Sequence, residues 1–203
     1  MRAFYLLCAA VLALAVGVPA SAQYMYLDVN GDGVCDNTDI LDNTSTSVDV
    51  WLATNKDGAG GDAVCASGEE LTINSYTFIL RSSGGLTFGT WVDAMAFGTN
   101  LGSGVAGNDR WVGRGSGNIL PPDTYKLGTQ NITVTAGTPV VSIVANTSAA
   151  PSARTSFGSQ CVGTLGDNTL RLTVEWSDVC GTASGTPVTE TTWGKIKARY
   201  RGN

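Results

Sequence analysis

Apolar side chains recur at every second position through much of this chain, and a period of two fits a half-buried β-strand and not a helix. Val48, Val50 and Leu52 alternate with Asp49, Trp51 and Ala53, and Tyr76, Phe78 and Leu80 alternate with Thr77, Ile79 and Arg81. Near the end, Leu170, Leu172, Val174 and Trp176 alternate with Thr169, Arg171, Thr173 and Glu175. Shorter strand candidates fall at 86–91, 93–98, 109–114, 123–128, 130–135 and 139–145, between clusters such as Gly102 to Asn108, Gly115 to Asn118 and Pro121 to Asp123. Strands with one apolar and one polar face bury a single side, so two sheets stacked face to face are the economical solution. The pattern predicts an all-β fold, a two-sheet antiparallel β-sandwich of about eight or nine strands over residues 47–188. Residues 189–203 read as a short C-terminal helix packed on it. Thr189 caps that helix, Glu190 sits in its first turn, and Trp193, Ile196 and Tyr200 recur at helical spacing.

Residues 1–22 carry Arg2, an apolar run from Phe4 to Val18, and Ala20, Ser21, Ala22 before Gln23. That is the pattern of a secretory signal peptide, with an apolar run too short to span a bilayer. The expectation is therefore a secreted protein, extracellular or at the cell surface, without membrane insertion. Cys8 leaves with the leader, and Cys35, Cys65, Cys161 and Cys180 remain as an even set suited to an oxidising compartment. Four cysteines allow three pairings. Cys35 with Cys65 and Cys161 with Cys180 is the expected one, since each closes a moderate loop and contributes roughly 3 kcal/mol. Zinc is disfavoured, because C-x-x-C spacing is absent and the chain has no His. With 12 Lys plus Arg against 17 Asp plus Glu the net charge is −5, and losing Arg2 with the leader makes it −6. Such acidity argues against nucleic acid or an anionic membrane as partner.

Within the N-terminal segment 23–46, residues 28–39 place oxygen at every second position. Asp28, Asn30 and Asp32 supply side-chain oxygens, Val34 a backbone carbonyl, Asp36 an oxygen or a water, and Asp39 the closing carboxylate, with Gly33 at the sharp turn. This is the order of ligands in an EF-hand-type loop, and it predicts calcium as the cofactor. Asp39 stands where Glu is usual, and the shorter carboxylate must draw the exiting chain closer to the ion. Asp-x-Asn-x-Asp-Gly followed by Asp39 resembles the loops of bacterial dockerin modules, over residues 28–39 alone. Dockerins carry two loop-helix repeats and dock onto cohesins through them. This chain has no second matching loop, and Asn43 to Ser47 does not continue a helix, so docking of that kind is not expected here.

Val48-Asp-Val-Trp-Leu52, then Tyr76-Thr-Phe-Ile-Leu80, then Leu86-Thr-Phe88-Gly-Thr-Trp91 resembles the opening strands of cohesin-type and related carbohydrate-binding-type sandwiches of bacterial surface proteins. The likeness covers about a quarter of the chain. It implies a fold class and no activity, because a sandwich hosts many functions.

An enzyme is not expected. Without His, Ser-His-Asp and Cys-His systems are excluded. Asp93, Asp109, Glu175 and Asp178 form no recognisable acid-base motif, and Gly113-Arg-Gly-Ser-Gly117 follows no βα unit that would cradle phosphate. Trp51 and Trp111 are candidate glycan-stacking residues, and Trp176 and Trp193 read as core. The leading expectation is a secreted, calcium-stabilised structural or adhesive protein of the cell surface or an extracellular assembly. Its partners would be further copies, other extracellular proteins or polysaccharide, with Gln23 to Leu27 completing a neighbour's sheet edge. The alternative is a carbohydrate-binding module-like protein. Asn43, Asn131 and Asn146 open glycosylation acceptor patterns.

Overall fold

The computed structural model describes residues 23–57, 61–63, 71–83, 85–95, 97, 99–136, 139–144, 155–161, 170–173 and 175–176. The expected leader, 1–22, and the expected C-terminal helix, 189–203, lie outside them. The described residues form β1 (Gln23–Asp28), β2 (Ser47–Asp57), β3 (Leu71–Ser82), β4 (Leu86–Asp93), β5 (Thr99–Ala106), β6 (Asp109–Leu120), β7 (Thr124–Val134), β8 (Val141–Ile143), β9 (Ser156–Cys161), β10 (Leu170–Thr173) and β11 (Glu175–Trp176). One sheet runs β11-β1-β2-β7-β4 and the other β10-β9-β3-β6-β5, with β8 also paired to β3. All pairings are antiparallel except β1 with β11, where Tyr24 meets Glu175 and Met25 meets Trp176.

The alternation translates directly into packing. Met25, Leu27, Val48, Val50 and Leu52 from the first sheet and Ile73, Tyr76, Phe78, Leu80 and Val112 from the second are buried in one core. Aromatic contacts close it toward β4. Trp91 meets Phe78 edge-on at 5.1 Å, and Phe97 meets Tyr76 edge-on at 5.2 Å.

Several boundaries differ from the sequence pattern, each for a physical reason. The candidate 93–98 is not laid out as one strand: Asp93 is the last residue of β4, and Ala94, Met95 and Phe97 lie outside any strand. Ala94 N–H donates to Leu127 at 3.1 Å and Phe97 N–H to Met95 at 2.9 Å, turning the chain as it crosses from β4 in one sheet to β5 in the other. The segments 123–128 and 130–135 are one strand, β7, because Thr129 continues the pairing with both β2 and β4. Of the cluster Gly102 to Asn108, residues 102–106 lie inside β5 and Gly107 and Asn108 form the turn to β6, and the cluster Gly115 to Asn118 lies inside β6. Glycine suits these places because side chains cross the backbone there: a Cβ at Gly104 would lie 2.4 Å from the Trp111 ring, and one at Gly115 would lie 3.3 Å from Leu101. Residues 23–28, assigned by sequence to a separate leading segment, are a strand of the first sheet, with β1 paired to β2 from Gln23 to Asp28. They complete the chain's own sheet, not a neighbour's.

Gly128 gives the sharpest packing test. A Cβ there would lie 2.3 Å from Trp91 and 2.4 Å from the Val92 carbonyl oxygen, a backbone atom that cannot rotate away. Gly128→Ala should cost about 1–3 kcal/mol by overpacking, and Phe78→Ala about 3–5 kcal/mol by leaving a cavity. Urea unfolding monitored by tryptophan fluorescence measures both.

Candidate metal-binding loop

β1 delivers Asp28 to the first position of the loop, and Asp28 is only 1% exposed. A carboxylate that deep in the protein needs donors, since an unpaired buried charge is costly. Asp28 Oδ1 accepts from Gly31 N–H at 2.6 Å, and Oδ2 accepts from Gly33 N–H at 2.8 Å and from Trp51 Nε1–H at 3.2 Å. Both glycines occupy the left-handed region, at φ 80° and 78°, which residues with a Cβ adopt only with strain.

The remaining side chains brace the loop in steps of two. Asp32 N–H donates to Asn30 Oδ1 at 2.9 Å, Val34 N–H to Asp32 Oδ1 at 2.8 Å, and Thr38 N–H to Asp36 Oδ1 at 2.7 Å. Asn30 Nδ2 bridges inside the loop to Asp32 Oδ2 at 2.9 Å and Thr38 Oγ1 at 2.7 Å. Asp39, also buried, closes the circuit, accepting from Val29 N–H at 2.7 Å and Asp36 N–H at 3.1 Å. The Thr38 hydroxyl and then its N–H hold the Asp36 carboxyl below its ordinary pKa. For Tyr26 the shift is upward, caused first by burial and then by the charges of Tyr24, Asp28, Asp39 and Asp32.

Two aromatic side chains seat the loop on the sheet. Tyr26 OH donates to the Gly33 carbonyl at 2.9 Å, and its ring stacks on Trp51 with centroids 6.0 Å apart. The Trp51 ring also lies against Gly33, where a Cβ would be 3.4 Å away. Trp51, read from sequence as a candidate sugar platform, is thus committed to the loop. Trp111 is on β6 in the other sheet, its ring across Gly104, so the two tryptophans do not form one surface. The seating role of Tyr26 on β1 and the bracing role of Thr38 within the loop were not legible in the sequence. The one available signal was a Tyr on the polar face two residues before the first ligand position.

Among the described residues no three His, Cys, Asp or Glu side chains converge as a metal-holding group; the loop carboxylates are turned onto backbone N–H groups. By chemistry the donor set nonetheless fits a hard cation, since Asp28, Asn30, Asp32, Val34, Asp36 and Asp39 offer only oxygen. Cys35, at position 8, is disulfide-bonded. The pairing itself is outside the described residues: Cys65 and Cys180 are not among them, and only the backbone of Cys161 is described, on β9. Of the carboxylates Asp93, Asp109, Glu175 and Asp178, the first two are in ion pairs. Asp109 takes Arg81 in a two-pronged contact at 2.7 and 2.8 Å, and Asp93 takes Arg114 at 2.9 Å. Asp178 is not among the described residues, and of Glu175 only the backbone is described.

No protein-family model matches the chain, and no curated protein matches it. Among solved structures, the chain is similar to a non-cellulosomal cohesin from the hyperthermophilic archaeon Archaeoglobus fulgidus, with 13% identity and a TM-score of 0.41 over 73% of this chain and 85% of that one.

Trp51→Phe removes one donor from buried Asp28 and should destabilise the protein by about 1.5–3 kcal/mol, the range for a hydrogen bond to a charged group. At alkaline pH the folded state resists ionisation of Tyr26 and Tyr76, whose pKa values are both raised chiefly by burial. The unfolded chain ionises first, so stability is intact below pH 10 and declines as pH rises past it. Absorbance at 295 nm should show these two tyrosines titrating together with loss of the near-UV circular dichroism signal.

Proposed function

We propose that this chain is a secreted, non-catalytic structural or adhesive protein of the cell surface or an extracellular assembly, with a calcium ion held by residues 28–39. The observation that carries the reading is the closed loop itself. Oxygen-bearing residues stand at positions 1, 3, 5, 9 and 12, the turn glycine has φ 78°, and Asp39 at the far end bonds back to Val29 beside Asp28. Asp28, Asn30, Asp32, Asp36 and Asp39 would hold the ion together with the Val34 carbonyl, which is the ligand order of a single EF-hand-type loop. When bound, calcium supplies positive charge to four carboxylates that otherwise repel one another. The neighbouring Tyr26 and Trp51 tie that loop to β1 and β2, so ion uptake would stiffen the start of the sandwich.

The sugar-binding alternative has less support, because Trp51 is held by Asp28 and Tyr26 and Trp111 is on the opposite sheet. The non-catalytic part of the reading is supported by the engagement of Asp93 and Asp109 in ion pairs.

Calorimetric titration with calcium should show one site. Melting at a free-ion concentration of about 100 times Kd should exceed melting in chelator by roughly 2.7 kcal/mol of stabilisation, or roughly 5–11 °C for a chain of this size. Asp32→Ala should weaken uptake by about tenfold or more, a loss near 1.4 kcal/mol. Absence of heat together with identical melting in calcium and chelator overturns the calcium reading. Light scattering that finds only monomers in both conditions overturns self-assembly.

A further inference from the structure

β4 ends one sheet and β5 ends the other. The two edges are on the same side of the sandwich, where Arg114 pairs with Asp93 of β4 at 2.9 Å and donates to Asn100 of β5 at 3.0 Å. Among the described residues β5 pairs only with β6. Its sequence, Thr-Asn-Leu-Gly-Ser-Gly-Val-Ala, has no charged residue and no proline, and Leu101 and Val105 are exposed. These are the features that leave an edge open to another strand.

Next to this edge is a cation without a counter-charge. Lys56, Arg81, Arg114 and Lys126 each pair with a carboxylate; of the cationic side chains described, Arg110 alone does not. Its Nε–H donates across the core to Gln130 Oε1 at 3.1 Å. Gln130 is fully buried and fixed by its own bonds to the Gly89 and Asn131 carbonyls, at 3.0 and 2.7 Å. A neutral amide orients the guanidinium but leaves its charge uncompensated, and Arg110 still has donors to offer. Desolvation, and then the like charge of Arg114, press against its charged form, so an anion arriving here is favoured.

The register links edge and cation. Val105 of β5 stands directly opposite Arg110 of β6, on the same face of the sheet. A strand added beside β5 would place one side chain next in that row, about 10 Å from the Arg110 backbone at two strand spacings, within reach of a long guanidinium side chain. A second copy of this chain is a poor donor of that side chain. Asp28, Asp49, Asp93 and Asp109, the strand carboxylates whose side chains are described, are all engaged within their own fold.

We propose that the edge of β5 together with Arg110 is a receptor for an extended acidic segment of a partner protein, which adds to the sheet and sets an Asp or Glu carboxylate on the guanidinium. The test uses a fluorescein-labelled peptide, Thr-Val-Thr-Glu-Thr-Val-Thr with blocked ends, and its Glu-to-Gln counterpart, with binding to the full chain read by anisotropy. The Glu peptide should bind about tenfold more tightly and lose that advantage as salt is raised. In Arg110→Gln the two peptides should bind alike. Val105→Glu, an exposed change that supplies a carboxylate within the chain, should also abolish the preference and guards against a folding defect in the first variant. Equal binding of both peptides, binding of neither, or a Glu preference that survives Arg110→Gln overturns the proposal. So does hydrogen exchange showing β5 amides already protected by a second copy.

Discussion

The carboxylate of Asp28 is the joint on which the N-terminal part of this protein turns. It ends a strand whose inner residues Met25 and Leu27 are buried in the core, and it begins a loop whose two glycines aim their N–H groups at its oxygens. Trp51 from the adjacent strand supplies the third donor. A charge at 1% exposure is tolerable only because the donors come from both the loop and the sheet. The same three bonds therefore fix the loop's shape and its position on β1 and β2.

Alternation made the sandwich legible because the core demands it. Val48, Val50 and Leu52 had to share a face, as did Tyr76, Phe78 and Leu80, and each set is buried in the structure. What the alternation hid was where the chain changes sheets. Val92 and Ala94 continue an apparent period of two, yet Ala94 N–H bonds to Leu127 and the backbone leaves the strand, a choice dictated by tertiary contacts and invisible to a local window. Glycine misled in the opposite direction. It reads as a turn signal, but Gly104 sits in a strand because Trp111 lies across it, and no residue with a side chain would leave room.

In the loop, spacing alone located the oxygen-bearing residues, since an alternating ligand set leaves a periodic trace in sequence. The seating of that loop left none. Trp51 looked like an outward aromatic, and it does face away from the core, but a side chain on the outer face can be claimed by a neighbouring loop as readily as by a ligand. Its indole N–H is engaged by Asp28. Arg110 was likewise silent in sequence, because the lack of a counter-ion is a property of three-dimensional neighbours.

β1 is sandwiched between β2, close in sequence, and β11, which pairs with it in parallel at Tyr24 and Met25. The first strand of the sandwich is thus flanked by one of its last. On a ribosome, or behind any pore that releases the chain from its N-terminus, the sheet must wait with that flank open until Glu175 and Trp176 emerge. Closure of so distant a pair comes late and slowly, and for that interval β2 and the Asp28 loop hold the leading strand in register.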